Sequence, residues 1–221
     1  MSEATVATEF ARARADLYDL LSRAFDGDTE ALAEALETGV FGDFAAVLPG
    51  APDTAALTRT DLDQDALQVG YDNLFVVPGP YYVPPFASGH ATEPSEAYDS
   101  DAAYHEVGTA GELFGDPAES VATLYDRANF TPERGEGIPD HVAAEFEFMA
   151  RLAARQATGD PQASEELLAV QGEMIEHLAW LADFSEAVGS VDDAEGVYAA
   201  VCSFANAFVA WDREQFDATE Y

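Results

Sequence analysis

The chain has 221 residues, 48% hydrophobic and 11% aromatic, a composition typical of a globular protein with a substantial core. It carries 43 acidic residues against 9 arginines, with no lysine, for a net charge of −34. This balance excludes nucleic-acid binding through a basic surface, and the lack of lysine excludes Walker-A and Schiff-base chemistry.

The acidic composition indicates adaptation to a salt-rich cytoplasm, where a Debye length of about 3 Å at ~1 M salt screens the self-repulsion of the surface. Cys202 is the single cysteine, which excludes an intrachain disulfide and a CxxC pair. The first residues lack a signal-peptide pattern, and no apolar run approaches ~20 residues. We therefore expect a cytoplasmic protein without stable membrane insertion.

Apolar residues recur at helical spacing almost throughout, which predicts an all-α fold. Residues from Phe10 to Ala24 predict the first helix. A short second helix over 29–38 should end at Gly39, in the left-handed conformation of a helix cap. A third should begin after Asp61 and continue to Phe75. We expect a single-domain bundle of about eight or nine helices over residues 1–221.

Two segments interrupt this pattern. Residues 49–60 form a loop rich in Pro, Ala and Thr. Residues 76–94 contain four prolines and two glycines before Ala91, which exclude an α-helix there. The aromatic content of this long loop is too high for a solvated linker. A long apolar loop in a compact domain indicates function, and Tyr81, Tyr82 and Phe86 could line a cleft or pin the loop down.

The second half of the chain is also predicted to be helical. Residues 95–113 are weakly helical, with a break near Gly108 and Gly111. Asp116 and Pro117 predict a helix start, with Asp116 as the N-cap. The loop 130–137 that follows this helix is a possible hinge.

The most informative segment runs from Ile138 to Met149. We place Pro139 at the first helical position, where its missing N–H costs nothing, and Asp140 in the first turn, where the helix dipole favours a carboxylate. His141 at this helix terminus should be neutral. Four positions should share one buried face of the helix: Val142, Phe146, Met149 and Ala153.

Three more helix boundaries complete the prediction. The helix after Pro139 should end near Thr158. A long helix should run from Asp160 to about Val188, and a last one from Asp192 to about Phe216.

Two motifs in order resemble a known family. Residues Tyr71–Phe75 with Pro78 and the segment 84–88 resemble the pattern Y-x-x-L-F…P…P-P-Y-x-S. Residues 139–149 resemble P-D-H…E-L-E-F-M. Both patterns belong to the TorD/DmsD family of all-helical chaperones dedicated to molybdoenzymes. Phe86 stands where the family has Tyr or Trp, so the hydrogen-bonding group of the aromatic ring is absent.

The resemblance implies a cytosolic chaperone with no catalytic activity and no cofactor. Such proteins bind the twin-arginine leader and apo-form of a molybdopterin oxidoreductase, commonly a DMSO or TMAO reductase, until its cofactor is installed. The client is left open, and a nitrate reductase-type client is an alternative. We expect a monomer or a domain-swapped dimer. The implied peptide-binding residues are Tyr18, Tyr71, Leu74, Phe75, Pro85, Phe86, Ser88, Pro139, Asp140 and His141.

Other interpretations of these residues remain open. A carboxylate in a first helical turn is common without any function, and Tyr71, Leu74 and Phe75 are core residues by default. An α-helical metalloenzyme would use two i,i+4 pairs, His141 with Glu145 and Glu173 with His177. Ferritin-like sites need Glu-x-x-His, which this chain lacks, so no metal is predicted. The last alternative is a helical scaffold without leader specificity.

Overall fold

The structure is a computed structural model that describes residues 3–46, 48, 55–59, 64–91, 115–158, 164–191 and 196–219. These residues form α-helices and short 3-10 or π turns, and no β-strand occurs among them. The predicted all-α fold is confirmed. Within the same ranges, no helix is both long enough and apolar enough to span a bilayer.

The helices follow one another along the chain with short turns between several of them. They are α1 Glu3–Phe25, α2 Thr29–Thr38, α3 Val40–Ala45, α4 Gln64–Tyr71, α5 Asp116–Ala128, α6 Val142–Ala157, α7 Ser164–His177, α8 Leu181–Val191 and α9 Val197–Thr219. A π turn over Asp72–Val76 extends α4, and 3-10 turns lie at Ala56–Thr58, Ala87–His90 and Leu178–Trp180.

The chain divides into two compact units. Unit 1 comprises Met1–Ser22 and Phe86–His177, and unit 2 comprises Arg23–Pro85 and Leu178–Tyr221. Each unit buries its own large apolar side chains. Those of unit 1 include Tyr18, Phe146, Phe148 and Met149, and those of unit 2 include Phe25, Phe41, Phe184, Phe204 and Phe208.

Local capping explains where the shorter helices begin and end. For α2, the Asp28 carboxylate accepts the N–H of Ala31 at 3.0 Å, and Gly39 ends the helix with φ 73°, as predicted. The prediction for α5 is wrong by one residue. Gly115 is the N-cap, because its carbonyl accepts the N–H groups of Ala118 and Glu119, and Asp116 is the first helical residue.

Helix α6 begins later than predicted. Val142 is its first residue, and His141 is its N-cap, with Nδ1 accepting the N–H of Ala143 at 3.1 Å. Placing Pro139 at the first helical position and Asp140 in the first turn is therefore wrong. The Asp140 carbonyl accepts the N–H of Ala87 at 2.9 Å, which holds the preceding turn outside the helix. The predicted buried face of α6 is confirmed: Val142, Phe146, Met149 and Ala153 are fully buried.

The predicted long helix from Asp160 to Val188 is interrupted. A 3-10 turn at Leu178–Trp180 separates α7 from α8, at the point where the chain leaves unit 1 and enters unit 2. The predictions for residues 95–113, for Asp61 and for Asp192 fall outside the described residues.

Candidate functional site

Asp140 lies at the centre of the candidate site in unit 1. Its side chain is 0% exposed, and its Oδ2 accepts both the backbone N–H of Ser88 at 2.7 Å and the hydroxyl of Ser88 at 2.5 Å. The Ser88 hydroxyl oxygen in turn accepts the N–H of Gly115 at 3.2 Å. The carboxylate therefore fastens the 3-10 turn Ala87–His90 to the turn that precedes α6.

The second oxygen of the Asp140 carboxylate lacks the hydrogen bonds that the first one accepts. Asp140 Oδ1 is buried and has no hydrogen-bond partner among the described residues. A buried acceptor without a donor costs on the order of 1–3 kcal/mol, and more when the group is charged. Such atoms are rare in native proteins, and each one calls for a functional or structural explanation.

His141 is held as a neutral imidazole. Burial lowers its pKa from 6.5 to about 4. Because Nδ1 accepts the N–H of Ala143, the ring proton resides on Nε2. The backbone of His141 also forms an isolated antiparallel bridge with Phe86, which is half-buried. The predicted neutral state is thus supported, with burial as its cause.

A buried ion pair lies one turn further along α6. Glu145 is 0% exposed, and its Oε1 lies 2.7 Å from Nε2 of His177 on α7. Burial lowers the pKa of His177, but the charge and hydrogen bond of Glu145, together with the charge of Asp140, outweigh it and raise the pKa overall. The protonated form of His177 is therefore favoured.

Tyr125 of α5 completes this group of polar side chains. Its hydroxyl donates to the carbonyl of Pro139 at 2.7 Å. Burial raises its pKa well above 10, and the charges of Glu145 and Asp140 raise it further, so the phenol stays neutral. We call this group the anionic cluster, because it contains two buried carboxylates; its members are Ser88, Tyr125, Asp140, Glu145 and His177.

The loop predicted as a hinge is fastened at several points within unit 1. Glu147 Oε2 accepts the backbone N–H groups of Glu133 and Arg134 at 2.9 and 3.0 Å. The Arg134 guanidinium donates to Asp19 and to Ser22, each at 2.9 Å. These contacts fix the loop against α1 and α6. Domain swapping about this loop stays a prediction.

The remaining predicted residues of unit 1 are mostly packed. Tyr18 is fully buried, with its ring centroid 5.8 Å from that of Phe146. Pro139 is half-buried in the turn before α6. The structure therefore joins Phe86, Ser88, Asp140 and His141 directly, while Tyr18 belongs to the core of the unit.

The other predicted residues form a separate aromatic cluster in unit 2. The Tyr71 hydroxyl donates to the carbonyl of Phe25 at 3.0 Å, and Phe75 packs edge-on against Tyr71 at 5.5 Å. Leu74 is buried, and its carbonyl accepts the N–H of Val83 at 2.7 Å. Pro85 is also buried. These contacts give Tyr71, Leu74 and Phe75 a core role, the default interpretation of their spacing.

The residues of the metalloenzyme alternative do not converge. Glu145 contacts His177, but Glu173 forms a bidentate pair with Arg127 at 2.6 and 2.9 Å on the surface. His141 Nδ1 is occupied by the helix cap. In the described parts of the chain, no three His, Cys, Asp or Glu side chains are grouped so as to hold a metal ion. The arrangement therefore does not support this alternative.

A sequence model of the family described as nitrate reductase delta subunit matches residues 19–186. The chain belongs to the nitrate reductase delta subunit family. This agrees with the resemblance to the TorD/DmsD redox-enzyme maturation chaperones, and the family is one of molybdoenzyme assembly chaperones. Searches among curated proteins and among solved structures returned no match.

The match to the delta subunit family covers nine of the ten predicted site residues, all except Tyr18. It also covers three members of the anionic cluster that the sequence did not assign to a peptide site, Tyr125, Glu145 and His177. Tyr125 carries no local motif. His177 was visible only through its i,i+4 spacing to Glu173, and the structure pairs it with Glu145 instead.

Proposed function

We propose that this chain is a cytosolic maturation chaperone that binds the twin-arginine leader of an apo-molybdoenzyme before cofactor insertion and export, without catalysing a reaction. Membership of the delta subunit family supports the general role. The observation that carries the finer proposal is the buried Asp140 carboxylate of the anionic cluster, whose Oδ1 has no donor among the described residues.

The chemistry of an arginine matches what this cluster lacks. A guanidinium offers several N–H donors in a planar fork and stays charged at any physiological pH. Pairing it with Asp140 Oδ1 would satisfy the buried acceptor and neutralise the charge of this carboxylate. Because the carboxylate is fully buried, such binding requires a small displacement of the turn 87–90, which is fastened to Asp140 through Ser88.

We assign three roles around this contact. Asp140 binds a leader arginine, and Ser88 is a positioning residue that orients the Asp140 carboxylate. Nε2–H of His141 donates to a leader backbone carbonyl, because Nδ1 is already used by the helix cap. The half-buried Phe86 contacts the apolar stretch of the leader.

The client is proposed in two classes. A DMSO or TMAO reductase-like enzyme is the first, from the resemblance to the TorD/DmsD chaperones. A nitrate reductase-type enzyme is the second, and the description of the matched family favours it. Both are molybdopterin oxidoreductases, so the same binding measurement distinguishes them by which leader binds.

Calorimetric titration of the full chain with synthetic leaders of both client classes tests the proposal. Each leader is compared with its Arg-Arg→Ala-Ala version in about 2 M KCl, where long-range charge attraction is screened. We expect micromolar binding to one leader and at least a tenfold loss when its arginines are replaced. Asp140→Asn preserves the size of the side chain and an acceptor for Ser88, and it should also weaken binding at least tenfold.

Asp126→Asn is the matched control, because Asp126 is an exposed residue of α5 and the change removes the same charge. It should leave leader affinity unchanged within twofold. Phe86→Ala should weaken binding to the intact leader and to the Ala-Ala leader by similar factors. Absence of binding by any leader to the folded chain, or equal losses in the Asp140 and Asp126 variants, would overturn the proposal.

A further inference from the structure

A cleft in unit 1 is lined by two arginines, in contrast to the carboxylates of the anionic cluster, and its Phe130 and Phe148 rings pack against Tyr125 of that cluster. Its volume is about 490 Å³, and it is formed by the end of α5, the following turn and the outer part of α6. Its lining includes Asn129, Phe130, Phe148, Arg151, Leu152 and Arg155. None of the described residues that line it is acidic, although the chain has 43 acidic residues against 9 arginines.

The two arginines of this cleft are available for a ligand. Arg151 and Arg155 lie one helical turn apart on α6 and are exposed. Neither has an ion pair or a side-chain hydrogen bond with any residue in the described ranges. Arg127 is in contrast paired with Glu173. Arg134 is likewise paired with Asp19.

Two acidic residues near Arg151 and Arg155, Glu147 and Glu166, form no salt bridge with them. Glu147 precedes Arg151 by one turn of α6, but its Oε2 accepts two backbone N–H groups of the preceding loop. Glu166 lines an adjoining cavity of about 310 Å³ that shares Arg155, and no salt bridge joins the two side chains. Among the described residues, no acidic side chain forms an ion pair with Arg151 or Arg155.

The opposite wall of the cleft is apolar. The Phe130 and Phe148 rings lie 5.0 Å apart by their centroids, and Phe130 is half-buried, whereas Phe148 and Leu152 are almost fully buried. Cavities of a few hundred Å³ with apolar walls and a small number of polar groups are typical of sites for small organic molecules. A bare inorganic ion would leave both the volume and this wall unused.

We propose that this cleft binds an organic oxyanion, a phosphate or carboxylate group carried on an aromatic or apolar body. The guanidinium groups of Arg151 and Arg155 hold the oxyanion, because each presents a planar fork that matches two oxygens of a phosphate or carboxylate. The apolar body contacts the half-buried ring of Phe130. The ligand is held by short contacts, because the net charge of −34 repels anions at longer range.

Titration calorimetry of the full chain with phenyl phosphate, phenylacetate and inorganic phosphate tests this proposal, in about 1 M KCl to screen the surface charge. Phenyl phosphate or phenylacetate should bind at least tenfold more tightly than inorganic phosphate, because only these two use the apolar wall. Whichever of the two binds more tightly identifies the ligand as a phosphate or a carboxylate.

The variants are Arg151→Gln, Arg155→Gln and the two combined. Each single change should weaken binding of the aromatic anion about tenfold or more, and the double change should abolish it. Arg12→Gln is the matched control, because Arg12 is exposed on α1, has no partner in the described ranges and does not line the cleft. No binding of either aromatic anion would overturn the proposal. Equal losses in the Arg12 variant, or inorganic phosphate binding as tightly as phenyl phosphate (an adventitious ion only), would also overturn it.

Discussion

Gly135 packs closely against the residues at the start of α6, where only a glycine fits without strain. It adopts φ +81°, and a Cβ placed on it would lie 2.9 Å from Cβ of His141 and 3.0 Å from Cβ of Ala144. Gly137 has nearly the same dihedral angle, φ +80°, but open space around its Cα. Substituting Gly135 and Gly137 in turn therefore distinguishes the free-energy cost of a left-handed backbone from that of steric overlap.

We expect Gly135→Ala to lower the free energy of unfolding by about 2–5 kcal/mol, the sum of the left-handed backbone term and the overlap with α6. Gly137→Ala should cost only the backbone term, about 1–2 kcal/mol. Urea unfolding of the two variants measures the difference. Equal destabilisation by Gly135→Ala and Gly137→Ala would contradict the prediction, because the overlap with His141 would then add no free-energy cost.

At the residue scale, the sequence placed Pro139 and Asp140 in the first turn of a helix, whereas the structure places them before α6. Asp140 and His141 are predicted site residues because residues 139–149 resemble the family pattern P-D-H…E-L-E-F-M. The structure keeps both, but the imidazole caps the helix, and the carboxylate binds Ser88. Spacing along one helix does not reveal this, because Ser88 comes from a segment 52 residues earlier.

At the scale of elements, the start of α6 depends on the neutral state of its cap. An imidazolium at His141 could not accept the N–H of Ala143. The pKa of His141 is about 4 in the folded chain and 6.5 ordinarily. Between these values the unfolded chain binds more protons, so the stability contribution is present above pH 6.5 and is lost as the pH falls toward 4.

We expect His141→Asn to remove this dependence while keeping an acceptor at the N-cap. Between pH 7 and pH 4, the wild-type chain should lose about 3 kcal/mol more unfolding free energy than the variant. Denaturant unfolding at a series of pH values measures it. His177→Gln is the opposite control, because the raised pKa of His177 adds stability below pH 6.5 that is lost as the pH rises above it. Parallel profiles for wild type and His141→Asn would contradict the prediction.

Element boundaries were predicted well where a local signal exists. Thr29–Thr38 was predicted in full, because Asp28 and Gly39 are strong start and stop signals. The break at Leu178–Trp180 was missed, because the local sequence contains neither proline nor glycine. That break coincides with the passage of the chain between two compact units, a tertiary event that leaves no local signal.

For the whole molecule, charge is the dominant property. With a net charge of −34, self-repulsion destabilises the compact state at low ionic strength. Raising KCl from about 0.1 M to about 1 M shortens the Debye length from about 10 Å to about 3 Å.

We therefore expect this change in KCl to raise the free energy of unfolding by at least about 2 kcal/mol, or roughly 4–8 °C in Tm. Thermal melting followed by circular dichroism measures the shift, and glycerol at matched water activity controls for solvent effects. A Tm independent of KCl would contradict adaptation of the chain to a salt-rich environment.

The sequence by itself determined the helical class, the buried face of α6, the excess of acid and the motifs that resemble a chaperone family. These properties depend on local periodicity, composition and short-range order, which the linear chain contains. Tertiary structure alone decided that Glu145 pairs with His177, that Asp140 holds Ser88, and that Arg151 and Arg155 share a cleft with no acidic side chain among its described lining. The first two results depend on packing of segments distant along the chain, and the third on packing of the end of α5 and the following turn against α6, whereas the helical spacing of Arg151 and Arg155 is visible in the sequence.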